Sequence, residues 1–246
     1  LVAVGGMKEQ IRSTLHATPL GKWGWKVLLL AALGIALSVF FLAIMRPPGG
    51  QSSALGQDRP WQISQVADGA TISVFGLTLG QSTVQDAVAK FGRRYEFGLF
   101  EDKQGQLGLE AYFRDAVVGG LNARLVLAAR LPTAMLNAIR AQVGNGKPTA
   151  DGGRRYTLSE ADDARALAAT ITAITYMPVV AFDAELVHRH FGEPSERVKG
   201  KDGTHWLYPQ QGLDLLLGDN GQALLQYVPP PEFDARLRTP LRTLQE

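Results

Sequence analysis

Leu79–Gly92 reads LGQSTVQDAVAKFG, and the organisation of the whole chain turns on how that stretch is read. Ser82-Thr83-Val84-Gln85 fits a capping box, with Ser82 at the N-cap and Gln85 three places on. Val84, Ala87, Val88 and Phe91 follow at the i, i+3, i+4, i+7 spacing of one apolar helix stripe. Gly92 then ends the helix, because only glycine reverses the chain there without a Cβ penalty. The pattern returns about one hundred positions later. Ala184, Val187, Phe191, Gly192 and Ala223 take the places of Val84, Ala87, Phe91, Gly92 and Ala123. Each copy is expected to run strand, helix, Phe-Gly, two strands joined by a turn, and a last apolar strand. The copies end at Leu131-Pro132 and Val228-Pro229.

Working outward, Pro132–Val143 reads as a helix with Leu136, Ile139 and Val143 inward. Ser159 opens another, with Glu160, Asp162 and Asp163 in its first turn to complement the macrodipole. Asp183 caps the helix that ends at Phe191-Gly192. Strand-like runs separate these helices, among them Ala70–Leu79, Leu107–Phe113, Asn122–Ala128, Thr172–Met177 and Trp206–Tyr208. Gly218-Asp219-Asn220-Gly221 makes Leu213–Val228 a hairpin. The expected fold class is α+β: an N-terminal transmembrane helix, then a soluble module in which helix plus antiparallel hairpin is duplicated. The divisions are a first repeat over 61–131, a connecting helix pair over 132–171, a second repeat over 172–228 and a Pro/Arg-containing tail over 229–246.

The residues of Leu79–Val88, with Phe91-Gly92, carry a resemblance to a known pattern. Phe191-Gly192-Glu193-Pro194, Trp206-Leu207-Tyr208-Pro209 and Gly212-Leu213 carry it in the second copy. The chain resembles the tandem α/β repeat of β-lactamase inhibitory proteins and of the small SmpA/OmlA (BamE-type) envelope lipoproteins over most of residues 72–228. The resemblance implies a non-catalytic binding or assembly module of the bacterial envelope. Three departures stand against it: there is no cysteine to accept a lipid, no proline after Phe91-Gly92, and an extra helix pair between the copies.

Upstream, Val27–Met45 (VLLLAALGIALSVFFLAIM) is 19 residues without a charge. As a helix it spans roughly 28 Å, close to the thickness of a bilayer's hydrocarbon core. Trp23 and Trp25 stand at its start, beside Lys22 and Lys26, as membrane-interface residues do. Residues 1–46 carry five basic groups and one acidic, a balance of +4, whereas residues 47–246 carry 20 and 22, a balance of −2. The positive flank places the 1–26 segment in the cytoplasm and the rest in the periplasm of an inner membrane crossed once. Arg46–Pro60, rich in Pro, Gly, Ser and Gln, reads as a flexible linker. The competing reading is a cleaved signal peptide, with Ala54-Leu55-Gly56 as the cleavage site.

The weakly acidic soluble part excludes a strong field for nucleic acid, and no cysteine means no thiolate chemistry and no disulfide. No catalytic, cofactor-binding or metal-ligating set is expected. His188 and His190 point about 200° apart on one helix and cannot share a metal; His205 lacks a third ligand and His16 any partner. Glu160, Asp162 and Asp163 are explained as a first helical turn. Gly144-Asn145-Gly146-Lys147-Pro148 lacks the early glycine and the Ser or Thr of a phosphate loop. Candidate partner-binding residues are Trp206, Tyr208 and Tyr227, and Arg236, Arg238 and Arg242 in the tail. The expectation is a membrane-anchored module that binds another envelope protein as scaffold or assembly factor. An enzyme inhibitor or ligand sensor is the alternative, and an envelope hydrolase a third.

Overall fold

Period-two alternation builds most of the molecule. The computed structural model describes residues 59–67, 69–149 and 152–243. Three short strands come first: β1 (Ser64–Val66), β2 (Thr71–Val74) and β3 (Leu77–Thr78), which pair antiparallel as a small sheet. Helix α1 (Val84–Phe91) follows, then β4 (Tyr95–Glu101), β5 (Leu107–Val118) and β6 (Leu121–Arg130) as a meander. Next are α2 (Thr133–Gln142), β7 (Lys147–Pro148), β8 (Arg154–Tyr156), α3 (Glu160–Leu167) and β9 (Thr170–Pro178). The last part holds α4 (Ala184–Phe191), β10 (Glu196–Lys199), β11 (Thr204–Tyr208), β12 (Leu213–Leu217) and β13 (Ala223–Tyr227). A 3-10 turn at Pro230–Glu232, a π turn at Asp234–Arg238 and α5 (Thr239–Thr243) close it.

The expected duplicated helix-plus-hairpin module is corrected by the topology. Ten strands form one sheet in the order β10-β11-β12-β13-β9-β6-β5-β4-β8-β7, with antiparallel pairing throughout. The stretch between the supposed copies holds both expected helices, α2 and α3, but between them it adds β7 and β8 at one end of the sheet, and the strand that follows, β9, lies between β6 and β13. By pairing on both sides, β9 satisfies the backbone groups that would otherwise be the inner edges of two separate modules. Val27–Met45 lies outside the described residues; among those described, no helix is long and apolar enough to cross a membrane.

Local signals are resolved to the residue. The N-cap of α1 is Thr83, one place later than expected: its Oγ1 accepts from the Asp86 N–H, and its own N–H donates to Asp86 Oδ2 at 2.8 Å. Ser82 instead accepts from the Thr78 N–H at 3.0 Å. Ser159 and Asp183 cap α3 and α4 as expected. Gly92 and Gly192 follow the two Phe-terminated helices at φ 93° and 78°, angles that disfavour any other residue.

Leu99, Leu109, Ala111, Phe113, Leu125, Leu127, Ile174, Tyr176, Leu215 and Leu225 share one face of the large sheet and are buried. Against them pack Val84 and Ala87 of α1, Leu136 and Ile139 of α2, Val187 and Phe191 of α4, and the small sheet's Ile72, Val74 and Phe75. The second face is treated differently. Phe233 and Leu237 of the C-terminal segment seal Val198, Leu207 and Val228 at one end of it, with Ala173 at the margin.

Candidate functional site

Antiparallel register places directly paired residues on the same face, so the second face can be read row by row. One row runs Gly98, Glu110, Ala128, Ala173 across β4, β5, β6 and β9. The next runs Glu96, Tyr112, Val126, Thr175 and continues through Gln226, Asp214 and Leu207 to Glu196. On the far side of the first row, Phe100 pairs with Arg155 of β8 and with Gly108. Three of the four residues in the Gly98 row are the smallest available. The row runs about 14 Å across the sheet, given strand spacings of about 4.8 Å, and side chains from its neighbours cover both ends. Phe100 and Arg155 close one end: a Cβ placed on Gly98 would lie 2.8 Å from Phe100 Cε2 and 3.0 Å from Arg155 Nε. The Phe233–Leu237 cluster closes the other end at Ala173.

Around the row lies a lattice of arginines and carboxylates. Arg114 donates to Glu96 at 3.1 Å, Arg155 approaches the same carboxylate at 4.0 Å, and Arg94 pairs with Asp115 at 3.3 Å. Arg94, Tyr95, Glu96, Tyr112, Arg114 and Asp115 line a shallow open depression beside it. Burial pushes the Tyr112 phenol up. Glu110, in the middle of the row, forms no hydrogen bond or ion pair with any described residue. Burial raises its carboxyl to about 7, and the Arg155 guanidinium offsets only part of that. An ionised carboxylate without a partner is costly to hold away from water, and burial therefore favours the protonated form of this group.

A second polar feature lies at the other end of the face. His205 Nδ1 stands 2.9 and 3.0 Å from the two oxygens of buried Asp214. The cross-strand neighbours of His205 are Val198 and Leu216, which offer no nucleophile. The pair has the base and orienter of a hydrolytic dyad, but neither described cross-strand neighbour is a group it could activate. It satisfies a buried carboxylate.

The residues singled out from sequence fall in other places. Trp206, Tyr208 and Tyr227 are 7%, 4% and 0% exposed, and all three sit in the main core. As surface anchors they are corrected, because their register turns them towards the helices: Trp206 pairs with Leu215, Tyr208 with Leu213, and Tyr227 with Ile174. The Tyr227 hydroxyl donates to the Pro60 carbonyl and the Tyr208 hydroxyl to that of Gly192. Arg236, Arg238 and Arg242 are held by partners within the chain. Arg236 donates to Glu232 and to the Thr172 carbonyl, Arg238 pairs with Asp234 and Glu196, and Arg242 with Glu196. The tail thus covers the β10–β11 end of the second face, and its arginines fasten it. Trp23, Trp25, Lys22, Lys26 and His16 lie outside the described residues.

His188 approaches Glu193 at 3.4 Å, and His190 stacks on Trp61 with ring centres 3.9 Å apart. Among the described residues, no three His, Cys, Asp or Glu side chains gather as a metal site. Asp162 is buried, accepts from Ser159 and pairs with Arg165 at 2.9 Å, as a first-turn residue does. The polar side of β5 was missed from sequence although a signal existed. In β5, Glu110, Tyr112 and Arg114 alternate with Leu109, Ala111 and Phe113. That alternation marks a strand whose outer side is chemically varied. No family model, no curated protein and no solved structure matches the chain, so the resemblance to the tandem-repeat families rests on the quoted residues alone.

Proposed function

We propose that the chain is a membrane-tethered, protein-binding module of the bacterial envelope, acting as a scaffold or assembly factor, and that it docks its partner on the second face of the large sheet, at β4, β5 and β6. The observation that carries this reading is the composition of that face. Part-exposed Phe100 and Tyr112 border a row of small residues beside buried Val126, with Arg94, Arg114, Arg124 and Arg155 around them. Protein interfaces are enriched in aromatic residues and arginine at their centres, with polar groups at the rim. Val27–Met45 and its basic flank support the tether, because confinement at a membrane raises the local concentration of a membrane-bound partner.

A photo-crosslinking amino acid at position 112 of the full chain, produced in its own cells, tests the docking face. The expected outcome is a discrete adduct with an envelope protein, absent when the same group replaces Arg189 on α4, behind the sheet. Equal labelling from both positions, or none from position 112, removes this reading.

A further inference from the structure

The alternation of β5 breaks at one place, and the break gathers charge. Phe113 pairs with Leu125 of β6 and Ala116 with Ala123, so Arg114 and Asp115 together face Arg124 alone. Two residues opposing one make a β-bulge, which re-aims side chains that strict alternation would send to opposite faces. Phe113, Ala116 and Val118 stay buried, while Arg114 and Asp115 both line the shallow depression with Arg94, Glu96 and Tyr112. This surface is open: the side chains of Arg94, Glu96 and Arg114 are 71%, 54% and 41% exposed. Each carboxylate here already serves arginines. Asp115 pairs with Arg94 at 3.3 Å, and Glu96 takes Arg114 at 3.1 Å and Arg155 at 4.0 Å. Arg114 and Arg124 have further contacts. Four guanidiniums thus surround two carboxylates, in a stretch (residues 47–246) whose overall balance is −2. Glu110 lies in the neighbouring row, where burial favours its protonated form.

We infer that the depression at Arg94 and Arg114 receives an acidic side chain, an aspartate or a glutamate, of the protein that docks on this face. This rests on the proposed function and adds the charge that the partner presents. Exposed ion pairs contribute little, so Arg94 and Arg114 can exchange Asp115 and Glu96 for an incoming carboxylate at small cost. Until then the same pairs hold both guanidiniums at the depression. Docking excludes water, and a charge-assisted, two-pronged bond from a guanidinium to the partner's carboxylate is stronger there than at a free surface. The planar fork of arginine suits that contact better than the point charge of lysine. A doubly charged phosphate, or a densely anionic lipid surface, would press against Glu96 and Asp115 as well as the arginines. Single carboxylates on a folded partner can be placed between them.

The test uses the full chain in phosphatidylcholine nanodiscs with isotope-labelled arginine, titrated with acetylated and amidated tetraglutamate. Tetraglutamine, tetralysine and inorganic phosphate are the controls. Tetraglutamate is expected to shift the Arg94 and Arg114 guanidinium signals saturably, while tetraglutamine and tetralysine do not. Arg94→Gln and Arg114→Gln should each weaken its binding about tenfold or more, and Arg189→Gln on α4 should leave it unchanged. Arg94→Lys keeps the charge and loses the fork, so it should weaken binding less, and it keeps the test standing if a neutral variant unfolds. Equal binding of tetraglutamine or tetralysine overturns the inference, as does tetraglutamate binding that survives both exchanges to glutamine. Phosphate, or phosphatidylglycerol added to the nanodisc, shifting the same signals at lower concentration than tetraglutamate overturns it too. In cells, an undiminished adduct from position 112 in the doubly exchanged chain sinks the inference while leaving the docking face standing. Absence of any adduct from position 112 in the parent chain removes the docking face instead, and the tetraglutamate titration then decides the inference by itself.

Discussion

Two carboxylates, Glu110 and Glu101, are displaced in opposite directions by their surroundings, and each makes stability depend on pH in its own way. Glu110 is raised from 4.5 to about 7 in the folded chain. The folded state therefore holds the proton more tightly than the unfolded one, and that contribution is complete below about pH 4.5 and lost as pH rises through 7. Glu110→Gln removes the penalty. Its unfolding free energy should exceed that of the parent by roughly 2 kcal/mol at pH 8, below the full linkage value because the residue keeps some contact with water, and the two should converge near pH 4.5. Urea melts across that range check it, and parallel curves would contradict it. Glu101 is lowered by the Tyr156 hydroxyl, which donates at 2.5 Å, and by Arg140 at 2.8 Å. Its contribution is present above its unfolded pKa and fades as pH falls through the depressed folded value. Tyr156→Phe should cost about 1–2 kcal/mol at neutral pH and flatten the acid limb of the stability profile. Neither carboxylate stood out in the sequence. Whether a glutamate is solvated or stranded depends on what the neighbouring strands place beside it, and Gly98 and Ala128 are brought to Glu110 only by pairing.

Elements were legible where their signals are local. Ser159 and Asp183 cap the helices expected of them, and the Gly218–Gly221 turn joins β12 to β13. The capping box of α1 was read one residue early because Ser82 and Thr83 are chemically alike; the competition is settled by Thr78, whose N–H takes Ser82. Strand β4 escaped notice because Gly98 interrupts an otherwise regular alternation of Tyr95, Phe97 and Leu99 with Glu96 and Phe100. Gly212, quoted from sequence as part of a hairpin, proves to be a tight junction. It sits at φ 63°, its carbonyl accepts from the Val228 N–H at 2.9 Å, and a Cβ there would lie 2.0 Å from the Val228 oxygen. Gly212→Ala should therefore destabilise by more than about 1 kcal/mol, since both the backbone angle and the space oppose it. Amide exchange would show the loss first at the β12–β13 end nearest Val228. An unchanged midpoint would mean that the junction relaxes freely.

At the scale of the whole molecule the duplication misled, and the reason is physical. A helix ending in Phe-Gly is specified within about ten residues, whereas the partner of β9 is chosen by contacts far apart in the chain: Leu125 with Tyr176, and Tyr176 with Leu225. Similar local units therefore say little about whether their strands close separately or join one sheet. The C-terminal tail posed the same difficulty. Its proline run and spaced arginines read equally well as a docking peptide, and only the sheet beneath it shows what it covers. Phe233 and Leu237 are 1% and 2% exposed over Val198, Leu207 and Val228. Arg238 and Arg242 fasten the outer end of the segment to Glu196 on the edge strand. Ending the chain after Val228 should cost roughly 3–5 kcal/mol, the value of two large apolar side chains returned to water, with little from the surface ion pairs. The shortened chain should unfold at lower urea and bind hydrophobic dyes, because Val198 and Leu207 become exposed. A free docking peptide would leave the midpoint where it is. Charge-neutral exchange of Arg242 alone should move it little, which separates the apolar seal from its fastening as the source of stability.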